Sequence, residues 1–249
     1  MNKTRIVVGA DGSPGSVAAV RWAAAEARRR KAELRVLTAY HRQPEGGDAA
    51  AVVHDAIAHA RSAAPDVEMR CLALHGYAVP ILLHAAEEAA MLVLGDKRTG
   101  RFPGLPSGSV SSQVALQAQC CVTVVRGRSD AETGPVVAGV DDEPETAVLG
   151  RAFEEAALRG APVVAVTAHT GNGNAHQFGL DAWRGKYPGV EAQSEVVTGR
   201  ADKILVQRSR EAQLVVVSPR RHGYQGVMLG AVGSRLLDEA DCPVLIARA

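Results

Sequence analysis

Short apolar runs, separated by longer stretches with helical spacing, recur along the chain. In the first half the runs are 6–8, 34–37, 91–94 and 122–125. Runs without polar alternation suit strands buried on both faces. The pattern predicts strands over 5–10, 33–39, 67–74, 91–94 and 122–126, and helices over 14–31, 49–63, 78–89 and 109–118. Ser13 before Pro14 is a good helix start, an N-cap hydroxyl followed by a proline at the first helical position.

The layout repeats. Residues 6–40 return as 136–169: an apolar strand, Gly-x-Asp, a helix of alanine and charge, a short break and a second apolar strand. The ends of the halves agree too, MLVLGDKR with SGSVSSQVALQAQCCVTVVR corresponding to QLVVVSPRR with LGAVGSRLLDEADCPVLIAR. The second half predicts helices near 144–158, 201–210 and 232–238, with 170–186 glycine-rich at first and less clearly helical. Two domains are expected, 1–126 and 135–249, joined by a polar linker over 127–134 that runs up to Pro135.

Strands alternating with helices call for an α/β fold with a parallel sheet covered on both faces. Ligands of such sheets bind beyond the carboxyl ends of strands where the winding reverses. That rule selects Asp11, after the first strand, and Gly95, after the fourth. If those strands are neighbours, the acid and the following loop face one crevice.

The loop 95–112, GDKRTGRFPGLPSGSVSS, carries Lys97, Arg98 and Arg101 and ends with Gly108-Ser109 opening a helix. It reads either as a phosphate loop, aiming backbone N–H groups at an anion, or as a basic, solvated connection. A helix dipole contributes about 0.3–1 kcal/mol to anion binding, so the first reading needs the loop's other donors.

Composition narrows the classes. Lys+Arg 28 against Asp+Glu 27 leaves the net charge near zero, so nothing in the totals suggests the basic face of a nucleic-acid binder, and aromatics at 4% leave few stacking platforms. No uncharged apolar stretch reaches the roughly 18 residues of a membrane span, and the N-terminal run is too short for a signal peptide, so a cytoplasmic location is expected. Cys71, Cys120, Cys121 and Cys242 show no paired CxxC spacing; Cys120 and Cys121, at the start of an apolar strand, are expected to be buried and inert. His54 and His59 miss the four-residue spacing of a helical metal pair, and no metal is expected. Trp22 is expected in the core. Arg28, Arg29, Arg30 and Lys31 close a helix, where positive charge suits the dipole. Neither GxxxxGK[ST] nor GxSxG occurs, so no catalytic residue is assigned.

With VVGADGSPGSVAAVRWAAAEARRRKAELRVLTAY, then LVLGDK and GSVS, then a closing apolar strand, the first half resembles the universal stress protein family, and so does the second. The resemblance implies two tandem Rossmann-like doubly wound domains, each with a five-stranded parallel sheet in the order 3-2-1-4-5 and helices on both faces. Many members bind ATP through glycine, two spacers, glycine, nine spacers, then glycine and Ser or Thr. In the first half this pattern falls on Gly95 and Gly108-Ser109, with Arg98 in place of the middle glycine. The resemblance further implies that Asp11 meets the adenine or ribose, that Ala39 offers backbone to the adenine, and that Val110 and Ser111 continue the phosphate cradle. Gly9 and Leu94 complete the set. Arg98 either turns inward and supplies donors or outward and decorates the loop.

In the second half Asp141 and Gly230 keep their positions, but Ser218 and Arg221 replace the first two glycines, the loop is one residue shorter and Ala231 removes the hydroxyl. At about 1.4 kcal/mol per lost contact, three losses weaken binding roughly a thousandfold, against about tenfold in the first half. A nucleotide, ATP with or without Mg, is therefore expected in the first half alone. Asp11 and Asp141 have a second reading, as caps of the turns into the next helices. The leading functional expectation is a non-enzymatic stress-response protein; the alternatives are a tandem scaffold acting through protein contacts and a slow ATPase or phosphotransferase. Family members of single-domain length often dimerise through their last strand. Here the strands 122–126 and 244–247 are expected to pair within one chain, with further homodimerisation open.

Overall fold

The computed structural model describes residues 4–41, 48–96, 109–141, 146–170, 179–221 and 227–248. The chain divides into two compact units, Met1–Ser129 and Asp130–Ala249. In the first, β1 (Arg5–Gly9), α1 (Pro14–Arg30), β2 (Glu33–Tyr40), α2 (Asp48–Ala63), β3 (Met69–His75), α3 (Ala78–Ala86), β4 (Met91–Gly95), α4 (Ser109–Gln117) and β5 (Cys121–Val125) follow one another. Its strands lie in the order β3-β2-β1-β4-β5, every pair parallel. Ile6, Leu34, Met91 and Leu92 are fully buried in the sheet, as uninterrupted apolar runs require.

The second unit runs β6 (Val136–Val140), α5 (Thr146–Arg159), β7 (Val163–His169), α6 (Asp181–Lys186), β8 (Ala192–Thr198), α7 (Ala201–Arg208), β9 (Leu214–Val217), β10 (Arg220–Arg221), β11 (Val227–Met228), α8 (Gly230–Glu239) and β12 (Val244–Ile246). Its parallel sheet repeats the order, β8-β7-β6-β9-β12. An antiparallel pair, β10 with β11, lies in the stretch between Ser218 and Gly230, where no strand is expected from the sequence. Two helices stop short of their expected ends, α3 at Ala86 and α7 at Arg208. Cys121 and Cys242 are buried, whereas Cys120, in the turn before β5, is only half-buried, which corrects the expectation for that thiol.

The two long helices share a device. Glu26 in α1 is fully buried and meets Arg30 at 2.6 Å and Arg29 at 3.5 Å. Glu155 in α5, also fully buried, meets Arg159. One residue fewer separates Asp141 from Glu155 than Asp11 from Glu26, yet the carboxylate and its arginine four residues on are kept. At the amino ends of the first three strands Glu33, almost fully buried, gathers Arg35 at 3.0 Å, Arg70 at 3.2 Å and Arg5 at 3.7 Å.

The helices also end alike. Lys31 closes α1 in the left-handed region with φ 51°, and Gly160 stands at φ 61° after α5. A side chain costs about 1–2 kcal/mol in that conformation, part of which glycine gives back through its freer unfolded chain. Lys31→Gly should therefore stabilise the first unit by about 0.5–1 kcal/mol, read as a rise in midpoint on urea denaturation.

Candidate functional site

At the carboxyl end of β1 the chain turns sharply through Gly12, at φ +77°. Asp11 organises that turn. Its Oδ1 accepts hydrogen bonds from the Ser13 N–H at 3.0 Å and the Ser13 hydroxyl at 2.6 Å, and the Ser16 hydroxyl meets the Asp11 N–H at 3.3 Å. Ser13 in turn caps α1, its Oγ accepting from the Ser16 N–H at 3.2 Å. Burial pushes the Asp11 carboxyl up, but the hydrogen bonds from Ser13 and Ser16 outweigh it and hold the group below its ordinary 3.8. The carboxylate is thus ionised at neutral pH and exposed at the sheet's end, and it also serves as a turn cap.

β1 pairs directly with β4, so the neighbourhood of Asp11 and Gly95 is a property of the sheet. The contact is closer than strand pairing alone gives. A Cβ built on Gly95 would lie 2.3 Å from the carbonyl carbon and oxygen of Gly15 and 2.6 Å from the Ser16 nitrogen. A Cβ on Gly15 would lie 2.1 Å from the Asp96 oxygen. The first turn of α1 and the end of β4 therefore touch backbone to backbone, which only glycine on both sides permits. Gly15 is a residue that sequence reasoning left unremarked inside its helix. The signal was present: the second half carries Glu145 and Ser218 at the two corresponding positions, so both glycines are replaced together.

Gly9 sits beneath the side chains of Leu94 and Leu82, whose tips would lie 2.9 and 3.3 Å from an added Cβ. Leu94 is buried, Ala39 is half-buried near the end of β2, and at the start of α4 Val110 is half-buried and Ser111 buried. Arg98, like Lys97 and Gly108, lies outside the described residues, and of Ser109 only its place as the first residue of α4 is described. One further group stands at the mouth of the loop. Asp96, whose N–H donates to the Val125 carbonyl at 2.9 Å, is met at 3.5 Å by the buried guanidinium of Arg126. A matching arginine, Arg248, follows β12 in the second half.

Beyond Ala39, at the ends of β2 and β3, four rings gather: His41 stacks on Tyr77 with centroids 4.2 Å apart, and His75 lies 5.5 Å from Tyr40 and 6.2 Å from His41. The second unit has no such stack at the ends of β7 and β8 among its described residues; its stacked rings are elsewhere, where Trp183 and Tyr187 lie 5.7 and 5.8 Å from Phe153 of α5. At the position of Tyr77 stands Arg200, bonded to the nearly buried Asp202, which Arg235 also reaches at 3.2 Å. Arg200 first, with Arg235 and the Lys203 N–H, holds the Asp202 carboxyl far below the usual carboxylate range, against the opposing effect of burial.

In the second unit the corresponding place is a small open hollow of about 40 Å³. Gly139 and Asp141 from the end of β6, Ser218 after β9, and Leu205 of α7 line it, with Leu229 and Val232 on either side of Gly230. Asp141 and Ser218 supply its polar side chains, and the other side chains of the lining are apolar. Gly230 itself opens α8 at φ +66°.

No helix among the described residues is long and apolar enough to cross a membrane. The family model described as the universal stress protein family matches residues 3–126 and again 171–248. A universal stress protein of Mycobacterium tuberculosis is 33% identical, covering 98% of this chain and 96% of its own length, and one of Mycobacterium bovis is 31% identical over 98% and 94%. The crystal structure of a universal stress protein from Archaeoglobus fulgidus covers 100% of this chain and 99% of its own, with a TM-score of 0.71 and 14% identity, a likeness of fold.

Proposed function

This chain belongs to the universal stress protein family, and from that premise we propose that it is a non-enzymatic stress-response protein of the cytoplasm whose first unit binds an adenine nucleotide. The observation that carries the reading is the backbone contact of Gly15 with Gly95, together with the Asp11-to-Ser16 hydrogen bonds. An ionised carboxylate, the amino end of a long helix and the origin of the glycine-rich loop are held together beyond two adjacent central strands. Such a place suits a sugar hydroxyl on the carboxylate and phosphates on the loop. Arg98 in the loop brings donors that glycine lacks. The second unit, with Ser218 and Ala231 in its loop, is proposed to hold no triphosphate.

Calorimetric titration with ATP, with its magnesium complex and with AMP tests the reading. Binding at or below about 100 micromolar is expected, which needs roughly 5.5 kcal/mol of net contacts. Asp11→Asn keeps an acceptor for Ser13 and removes the charge, so it should preserve the fold and weaken ATP about tenfold. Absence of heat with all three ligands would leave the scaffold reading, and product formed above the level of the Asp11 variant would make the protein an enzyme.

A further inference from the structure

We propose that β3 is a self-association edge, pairing antiparallel with β3 of a second copy of this chain. Among the described residues β3 pairs with β2 alone, so its outer row of N–H and C=O groups is unmatched by any strand. Its residues after Arg70 are Cys71, Leu72, Ala73, Leu74 and His75, with no acid, proline or lysine. Leu72 and Leu74 are 45% and 37% exposed on one face of the strand, Tyr77 beyond its end is 66% exposed, and Ile57 of α2 is exposed as well.

The second unit supplies an internal control. β8 occupies the same outer position in its sheet and pairs with β7 in the same register. Where β3 has Leu72, β8 has Glu195, and where α3 has Ala85, α7 has Arg208. Glu195 and Arg208 meet at 2.5 Å, so an ion pair stands beside the edge in the copy that also exposes Val196. Charge on an edge strand opposes pairing with another chain. The first unit has exchanged both members of that guard for apolar residues.

The occupant follows from the strand's own charge pattern. Folded about a two-fold axis at Leu72, the strand sets Leu72 against its counterpart, Cys71 against Ala73, Arg70 against Leu74 and Met69 against His75. No two like charges then face each other, and Arg70 keeps its carboxylate, Glu33, within its own subunit at 3.2 Å. The apolar residues of two such edges form one continuous strip. A two-fold contact uses one patch twice, as self-complementary edges demand.

Light scattering after size exclusion, from about 1 to 100 micromolar, tests this on the full chain. Wild type is expected to be a dimer, and Leu72→Glu to weaken association by at least about a hundredfold. The double variant Leu72→Glu with Ala85→Arg transplants the guard pair of the second unit, and should be monomeric with an unchanged circular dichroism spectrum. A short bis-maleimide should join wild-type copies through Cys71 and fail with Cys71→Ser. A monomeric wild type, a dimer indifferent to both Leu72 variants, or cross-links that persist in Cys71→Ser would each overturn the proposal.

Discussion

Gly95→Ala is expected to cost the first unit at least about 3 kcal/mol, a loss large enough to separate the unfolding of the two units in a urea titration. The added methyl would lie 2.3 Å from the carbonyl of Gly15, and both atoms it meets there are backbone. Neither can turn aside as a side chain does, so α1 must lift from β4 along its first turn. Gly9→Ala provides the contrast, because its methyl meets the tips of Leu94 and Leu82. Those side chains can rotate, and the cost should stay near about 1 kcal/mol. A Gly95→Ala protein as stable as wild type but unable to bind ATP would assign the glycine to ligand contact instead of packing.

Arg159→Met should destabilise the second unit by about 3 kcal/mol. Glu155 is fully buried, and removing the guanidinium four residues on leaves its charge short of a partner in a medium that solvates it poorly. Replacing the whole pair is a different matter. Glu155→Leu with Arg159→Met removes both desolvated charges and should fall within about 1 kcal/mol of wild type, which makes it about 2 kcal/mol more stable than Arg159→Met alone. Urea denaturation of the three proteins at neutral pH measures the difference. A single variant as stable as wild type would show that the ion pair contributes nothing to this helix.

Strands and helices were legible because their apolar periods differ, and the repeat showed that both halves share one layout, but the strand order came from the family resemblance and not from the apolar pattern. The turn at Asp11 was legible as well: Gly12 and Ser13-Pro14 have one common use at a helix start. What escaped was set by contacts across long separations. Gly15 looks like an ordinary helix residue until the backbone of Asp96 is laid against it, and Arg126 reads as the end of a strand until Asp96 turns toward it. Lys31 escaped for a local reason, because nothing in its chemistry announces a left-handed residue where glycine is usual. The exposure of β3 was hidden too, for an apolar strand at a sheet's rim has the same composition as one at its centre. The loop residues Arg98 and Gly108 remain a matter of spacing alone.

The carboxylate of Glu33 has a bearing on how the chain is made. Arg5, Arg35 and Arg70 reach it from the first three strands, and all three are translated before β4 begins. A nascent chain can therefore fasten β3, β2 and β1 together at one end while the residues that will cover the far side of β1 are still inside the ribosome. Half a sheet, held by one acid, would wait for the strand that completes it.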